Sequence, residues 1–179
     1  KAPTSVTDLP AMSRAVRALA LTEDGNGLFW LGTQEGLVRF NAKTFDFQLV
    51  QADPKNPNSL NNNAILCLLS DPIAPQQMLW IGTKGGGINR LDLQNNQFQH
   101  LTPADGLPDK VVYSILPGYK TGEFWCSTNR GLVKLTLANN QLKPALIATF
   151  GAAIGLQDNE FNTQAFFKAS NGELLFGGV

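Results

Sequence analysis

The chain carries few side chains that could do acid–base or covalent chemistry. Its one histidine, His100, stands in Phe98-Gln99-His100-Leu101, which reads as an outer strand. A lone outer-strand imidazole cannot act as general base for a central site. Glu23, Asp24, Glu35, Asp46, Asp71, Asp92, Asp105, Asp109, Glu123, Asp158 and Glu160 fall mostly in turns. Nothing in the sequence brings two of them to the fixed separation a glycosidase needs, and sialidase-type Asp-box turns are absent. Metal-ligand spacing fails on the same grounds. Cys67 lies in Ile65-Leu66-Cys67-Leu68-Leu69 and Cys126 directly follows Trp125, so both read as small core residues. Gly85-Gly86-Gly87 is a hairpin turn rather than a phosphate loop, since no Lys-Ser/Thr and helix follow it. The expectation is therefore no catalytic residue, no metal and no cofactor. The candidates that remain are turn charges able to hold a ligand: Glu35, Lys84 and Arg130.

The elements that carry those charges repeat. Leu79-Trp80-Ile81-Gly82-Thr83 reads as a strand, Lys84-Gly85-Gly86-Gly87 as a turn and Ile88-Asn89-Arg90-Leu91 as the returning strand. Leu28-Phe29-Trp30-Leu31-Gly32-Thr33 with Gln34-Glu35-Gly36, and residues 122–137 around Trp125, repeat this plan. Gly36 stands where the turn needs a positive φ. Trp30, Trp80 and Trp125, with Leu175 in the last copy, are spaced by 50, 45 and 50 residues. Each copy predicts four strands: an apolar strand before the Trp strand, and an alternating one after the hairpin, such as 45–50 and 96–101. Ala18, Cys67 and Ser114 align as small residues in the first strands, between Val16/Leu19, Ile65/Leu68 and Val112/Ile115. A period of this size with four strands per copy is the signature of β-propeller blades. One meander cannot bury both faces alone; stacking blades around an axis does.

The fold class expected is all-β, about three and a half four-stranded blades of a larger propeller. Residues 1–13 read as the remnant of a preceding blade and a linker, 14–60, 61–107 and 108–156 as blades, and 157–179 as a partial blade. The start at Lys1-Ala2-Pro3-Thr4, without Met or signal peptide, reads as a piece of something longer. Open blade faces of such an arc would associate, with the rest of the same propeller or with another copy. Lys plus Arg and Asp plus Glu are 14 each, so the balance excludes an electrostatic nucleic-acid binder. No apolar run approaches the roughly 18 residues of a membrane helix. In a four-stranded blade, the turn between the second and third strands lies on the same face as the loop to the next blade. That face gathers Gln34-Glu35, Lys84-Gly85-Gly86, Asn129-Arg130 and the loops 51–62, 102–110 and 151–160. These vary between copies while the scaffold repeats, as expected where loops carry function.

The repeat resembles the two-component regulator propeller family. The resemblance rests on residues 28–40, on 79–92 with its Trp-Ile-Gly-Thr core, on 124–132 more weakly, on Ser59-Leu60-Asn61-Asn62-Asn63-Ala64-Ile65, and on 155–162 with 172–178. The departures are Ser127 where glycine is expected and the insertion at residues 72–77. The resemblance implies a non-catalytic sensing segment on the periplasmic or extracellular side of a membrane-anchored receptor, ahead of a histidine kinase or diguanylate cyclase. Its ligand would be a small molecule or oligosaccharide. The transmitting machinery itself is not among these residues. A streptogramin-lyase-like propeller is a rival reading, and a scaffold for protein–protein assembly is another. A lyase wants histidine and carboxylates around the central mouth; a scaffold wants a broad apolar or charged rim.

Overall fold

The computed structural model describes residues 20–23, 27–138, 142, 144–156 and 158–178. The expectations for residues 1–13, and for Val16, Ala18 and Leu19, lie outside these. The first sheet is the meander β1 (Ala20–Glu23), β2 (Leu28–Gly32), β3 (Leu37–Asn41), β4 (Phe47–Val50). The second is β5 (Ile65–Ser70), β6 (Met78–Thr83), β7 (Ile88–Asp92), β8 (Gln97–Leu101). The third is β9 (Val112–Pro117), β10 (Glu123–Thr128), β11 (Gly131–Leu137), β12 (Pro144–Phe150). A two-stranded sheet, β13 (Phe161–Lys168) with β14 (Leu174–Gly178), follows. The first strands β1, β5, β9 and β13 lie against one another from sheet to sheet, so they line the inside of an arc of propeller blades.

Strand alternation builds the interfaces. On β6, Leu79 and Ile81 join Trp30, Leu37, Ile65 and Phe98 in the core between the first two sheets. Trp80, on the other face, joins Val112, Ile115, Phe124 and Val133 between the second and third. Each fully buried side chain of this kind contributes on the order of 2 kcal/mol. The Trp80 and Phe124 rings meet at 4.4 Å between centroids. Trp125 is only half-buried, its ring 5.2 Å from that of Phe150 between centroids.

Every Trp has a cation across the β2–β3-type pair. Arg39 lies 5.9 Å from the Trp30 ring centroid, Arg90 5.1 Å from Trp80 and Lys134 5.8 Å from Trp125. The register explains this, since Trp30 pairs with Arg39, Trp80 with Arg90 and Trp125 with Lys134. Such contacts contribute about 0.5–2 kcal/mol, more where desolvated. Glu123 holds the third cation, with Oε1 2.8 Å from Lys134 Nζ. The Lys134 hydrogen bond keeps the Glu123 carboxyl below its ordinary range, partial burial opposing it.

Two local expectations are corrected. Ala20, not Ala18, is the counterpart of Cys67 and Ser114, because Ala20 pairs with Gly32 as Cys67 does with Gly82 and Ser114 with Ser127. A uniformly apolar run carries little register information of its own. Phe45 is not in β4. It sits at φ 64° in the preceding turn, where Phe45 N donates to the Asn41 carbonyl and the Asn41 side chain accepts from Lys43 N and Thr44 N. The loops 102–110 and 151–160 contain short 3-10 turns, Pro103–Asp105 and Ala152–Ile154. In the first of them Asp105 Oδ2 accepts from Thr102 N and Oγ1.

Cys67 and Cys126 are free and buried. Burial pushes the Cys67 thiol up to about 12, and pushes Cys126 well above its ordinary value. The thiolate is the reactive form. Ellman's reagent at pH 8 should therefore find almost no reactive thiol in the folded chain and both after denaturation in guanidinium. Rapid native labelling at either cysteine would contradict this packing.

Candidate functional site

The β2–β3, β6–β7 and β10–β11 turns share one threonine device. Thr33, Thr83 and Thr128 close the second strand of each blade. Each hydroxyl donates to the carbonyl of the turn glycine, Gly36 (2.8 Å), Gly87 (3.0 Å) and Gly131 (2.9 Å). Each also accepts a turn amide, from Glu35, Gly86 and Arg130. Gly36, Gly87 and Gly131 have positive φ, so the expectation for Gly36 holds and extends to all three copies. Gly86 has a different reason to be glycine: a Cβ there would collide with the Asn61 side chain. Asn61 Nδ2 donates to the Gly86 carbonyl (2.8 Å), and Asn89 Nδ2 donates to Asn61 Oδ1 (2.9 Å).

The turns are bonded to the loops between blades, Lys84 to the lead into its own blade and the others to the lead into the next. Ile65 N donates to the Thr33 carbonyl, Lys84 N to Ala64, Gly87 N to Lys110 and Gly131 N to Asn159, all at 2.7–2.8 Å. Turns and inter-blade loops thus share one face, as the blade plan requires. On that face, at the axis, a cleft of about 610 Å³ opens. The turns supply Gln34 and Lys84; the innermost strands and their leads supply Ala64, Leu66, Tyr113, Thr163 and Gln164. This size suits a small organic ligand, whose pockets span roughly 300–1,000 Å³.

Of the three charged candidates, Lys84 lines this cleft. Glu35 is exposed in the neighbouring turn, its backbone carbonyl accepting from Gln51 Nε2 (2.9 Å). Arg130 is also exposed and lies 3.6 Å from Asp109 Oδ2. Neither Glu35 nor Arg130 lines the cleft. Tyr113 was not singled out from sequence. Its hydroxyl donates to Asn129 Oδ1 at 2.6 Å. Partial burial, then Glu160 and Asp109, raise its pKa, so the phenol stays protonated. A signal for it exists: Leu66 and Tyr113 each directly precede the small residue of an inner strand, Cys67 and Ser114. Gln164 has φ 63°, and the β13–β14 register shifts between Phe161 and Phe166. This bulge turns Thr163 and Gln164 toward the axis; bulges recur beside functional sites.

His100 stays on the outermost strand β8, where Nε2 lies 2.8 Å from the Ser59 carbonyl oxygen. It pins the loop entering the second blade and is not a cleft residue. Among the described residues no group of three or more His, Cys, Asp or Glu is placed to hold a metal, and no helix is long and apolar enough to cross a membrane.

No known-family profile matches the chain. It is similar to the extracellular domain of a hybrid two-component system of B. thetaiotaomicron, with a TM-score of 0.76 and 22% identity over 96% of this chain and 22% of that one. This chain shares the fold of the part of that extracellular domain it matches, about a fifth of its length. The propeller is also similar in sequence to histidine kinase P4 of Formosa agariphila, 28% identical over 207 aligned residues, 87% of this chain and 14% of the kinase. These matches agree with the resemblance to two-component regulator propellers carried by the Trp-Ile-Gly-Thr repeat. The chain spans only about a seventh of the kinase. A streptogramin B lyase shares the propeller fold at a TM-score of 0.59 and 16% identity, over 95% of this chain and 50% of that one.

Proposed function

We propose that this chain is a ligand-binding stretch of an extracytoplasmic sensor propeller, and that its ligand, a saccharide fragment or similar small polar molecule, sits in the axial cleft. The observation that carries this reading is the cleft itself, on the face where the variable turns and inter-blade loops meet. Its polar groups are amide, hydroxyl, phenol and ammonium, the set that recognises sugar hydroxyls. The similarity to histidine kinase P4 and to the extracellular domain of a hybrid two-component system supports sensing over lyase chemistry. So does the place of His100, on an outermost strand rather than at the mouth. Kinase or cyclase output would lie outside these residues.

The test is a titration of the 179-residue chain with neutral and uronate-containing disaccharides, followed by two-dimensional amide NMR. Shifts are expected at Gln34, Lys84, Tyr113 and Gln164, and Gln34→Ala should weaken binding about three- to tenfold, the worth of one or two hydrogen bonds. Shifts confined to the opposite face, or none with any disaccharide, would overturn the assignment of the cleft.

A further inference from the structure

We infer that the cleft selects a polyhydroxylated ligand bearing one carboxylate, which the Lys84 ammonium holds while a ligand hydroxyl donates to the Tyr113 phenolic oxygen. The inference rests on the cleft being the binding site. Among the described residues, Lys84 is the one cation lining it. The nearby cation Arg130 is already matched by Asp109. No carboxylate among the described residues lies within ion-pair reach of Lys84, so its charge is open to a ligand. A charge-assisted hydrogen bond in a partly enclosed site is about twice as strong as a neutral one.

Tyr113, on the innermost strand of the next blade, has the reverse character. The Tyr113 hydroxyl spends its proton on Asn129 Oδ1, which leaves the oxygen as an acceptor. Asp109 is matched by Arg130 and Glu160 acts electrostatically on Tyr113, so this end offers no cation to a second negative charge. The ligand is thereby oriented, carboxylate toward Lys84 and hydroxyls toward Tyr113 and Gln164.

Calorimetric titration compares a disaccharide carrying one glucuronate with its neutral glucose parent. The acidic probe is expected to bind about tenfold or more tighter, as a charge-assisted bond implies. Lys84→Gln should erase that difference, lowering affinity for the acidic probe about tenfold and for the neutral parent far less, while Lys84→Arg keeps most of it. Affinity for the acidic probe should fall as salt rises. Glu160→Gln should improve binding of a doubly charged disaccharide. Equal binding of both probes, indifferent to Lys84→Gln, would overturn this inference and leave the cleft as the binding site. Binding of neither probe, with no amide shifts, would overturn the cleft assignment as well.

Discussion

Asp71→Ala is expected to destabilise the fold by about 3–5 kcal/mol, the usual cost of stripping one partner from a buried ion pair. Asp71 and Arg90 are 1% and 2% exposed, with Arg90 Nη2 3.3 Å from Asp71 Oδ2. The same carboxylate oxygen accepts from Trp80 Nε1 at 2.8 Å. Its other oxygen accepts from Ile73 N and Ala74 N, which fixes the inserted turn. Burial lowers the Arg90 pKa, and Asp71 opposes that shift. Without Asp71 the guanidinium keeps the Trp80 face and the weaker field of Asp92 but loses its paired carboxylate, and a buried indole N–H loses its acceptor. Urea denaturation should register the loss as a lower midpoint at unchanged slope. Asp71→Ala combined with Arg90→Met should recover much of it, because the uncompensated charge goes too. A single-variant loss below about 1 kcal/mol, typical of an exposed pair, would mean that the pair is solvated in solution.

This network shows where the sequence was legible and where it was not. Tryptophan, glycine and threonine recur at fixed places, so the blades and their hairpins follow from spacing alone. The cations Arg39, Arg90 and Lys134 recur as faithfully, nine or ten residues after each Trp. Charged residues are by default assigned to solvent, and only the cross-strand register places them on the indole faces. Asp71 reads as a turn residue, which it is; its burial depends on the third sheet packing over Trp80. The face that carries the cleft was legible from turn logic, and the place of Lys84 on it. Tyr113 and Gln164 were not, because residues of the innermost strands read as core until the axis is known to be open. The bulge that places Gln164 leaves no local mark in Phe161-Asn162-Thr163-Gln164-Ala165, where glycine would have announced it.

Gly82→Ala is expected to cost about 1–3 kcal/mol through overpacking, and to weaken ligand binding in the cleft although residue 82 is not part of it. A Cβ at Gly82 would collide with Cys67 Sγ, and would lie 2.8 Å from the Val112 carbonyl oxygen and 3.1 Å from Val112 Cγ1. The sulfur can turn aside. The carbonyl belongs to the backbone of β9 in the next blade and can retreat only if that strand moves. Tyr113 is the next residue on β9, so the scaffold error is carried to the cleft. Strand geometry alone does not demand glycine here: the third blade carries Ser127 at the equivalent place, its hydroxyl 2.6 Å from that of Ser114. The neighbouring blade imposes the requirement, as it does at Gly32, where a Cβ would lie 2.5 Å from Ile65 Cγ2. Cys67→Ala in the Gly82→Ala background separates the two obstacles. Removing the sulfur should restore part of the stability, while the loss of ligand affinity persists, because the carbonyl still forces β9 outward. Full recovery of both in the double variant would assign the clash to the sulfur alone and uncouple Gly82 from the cleft.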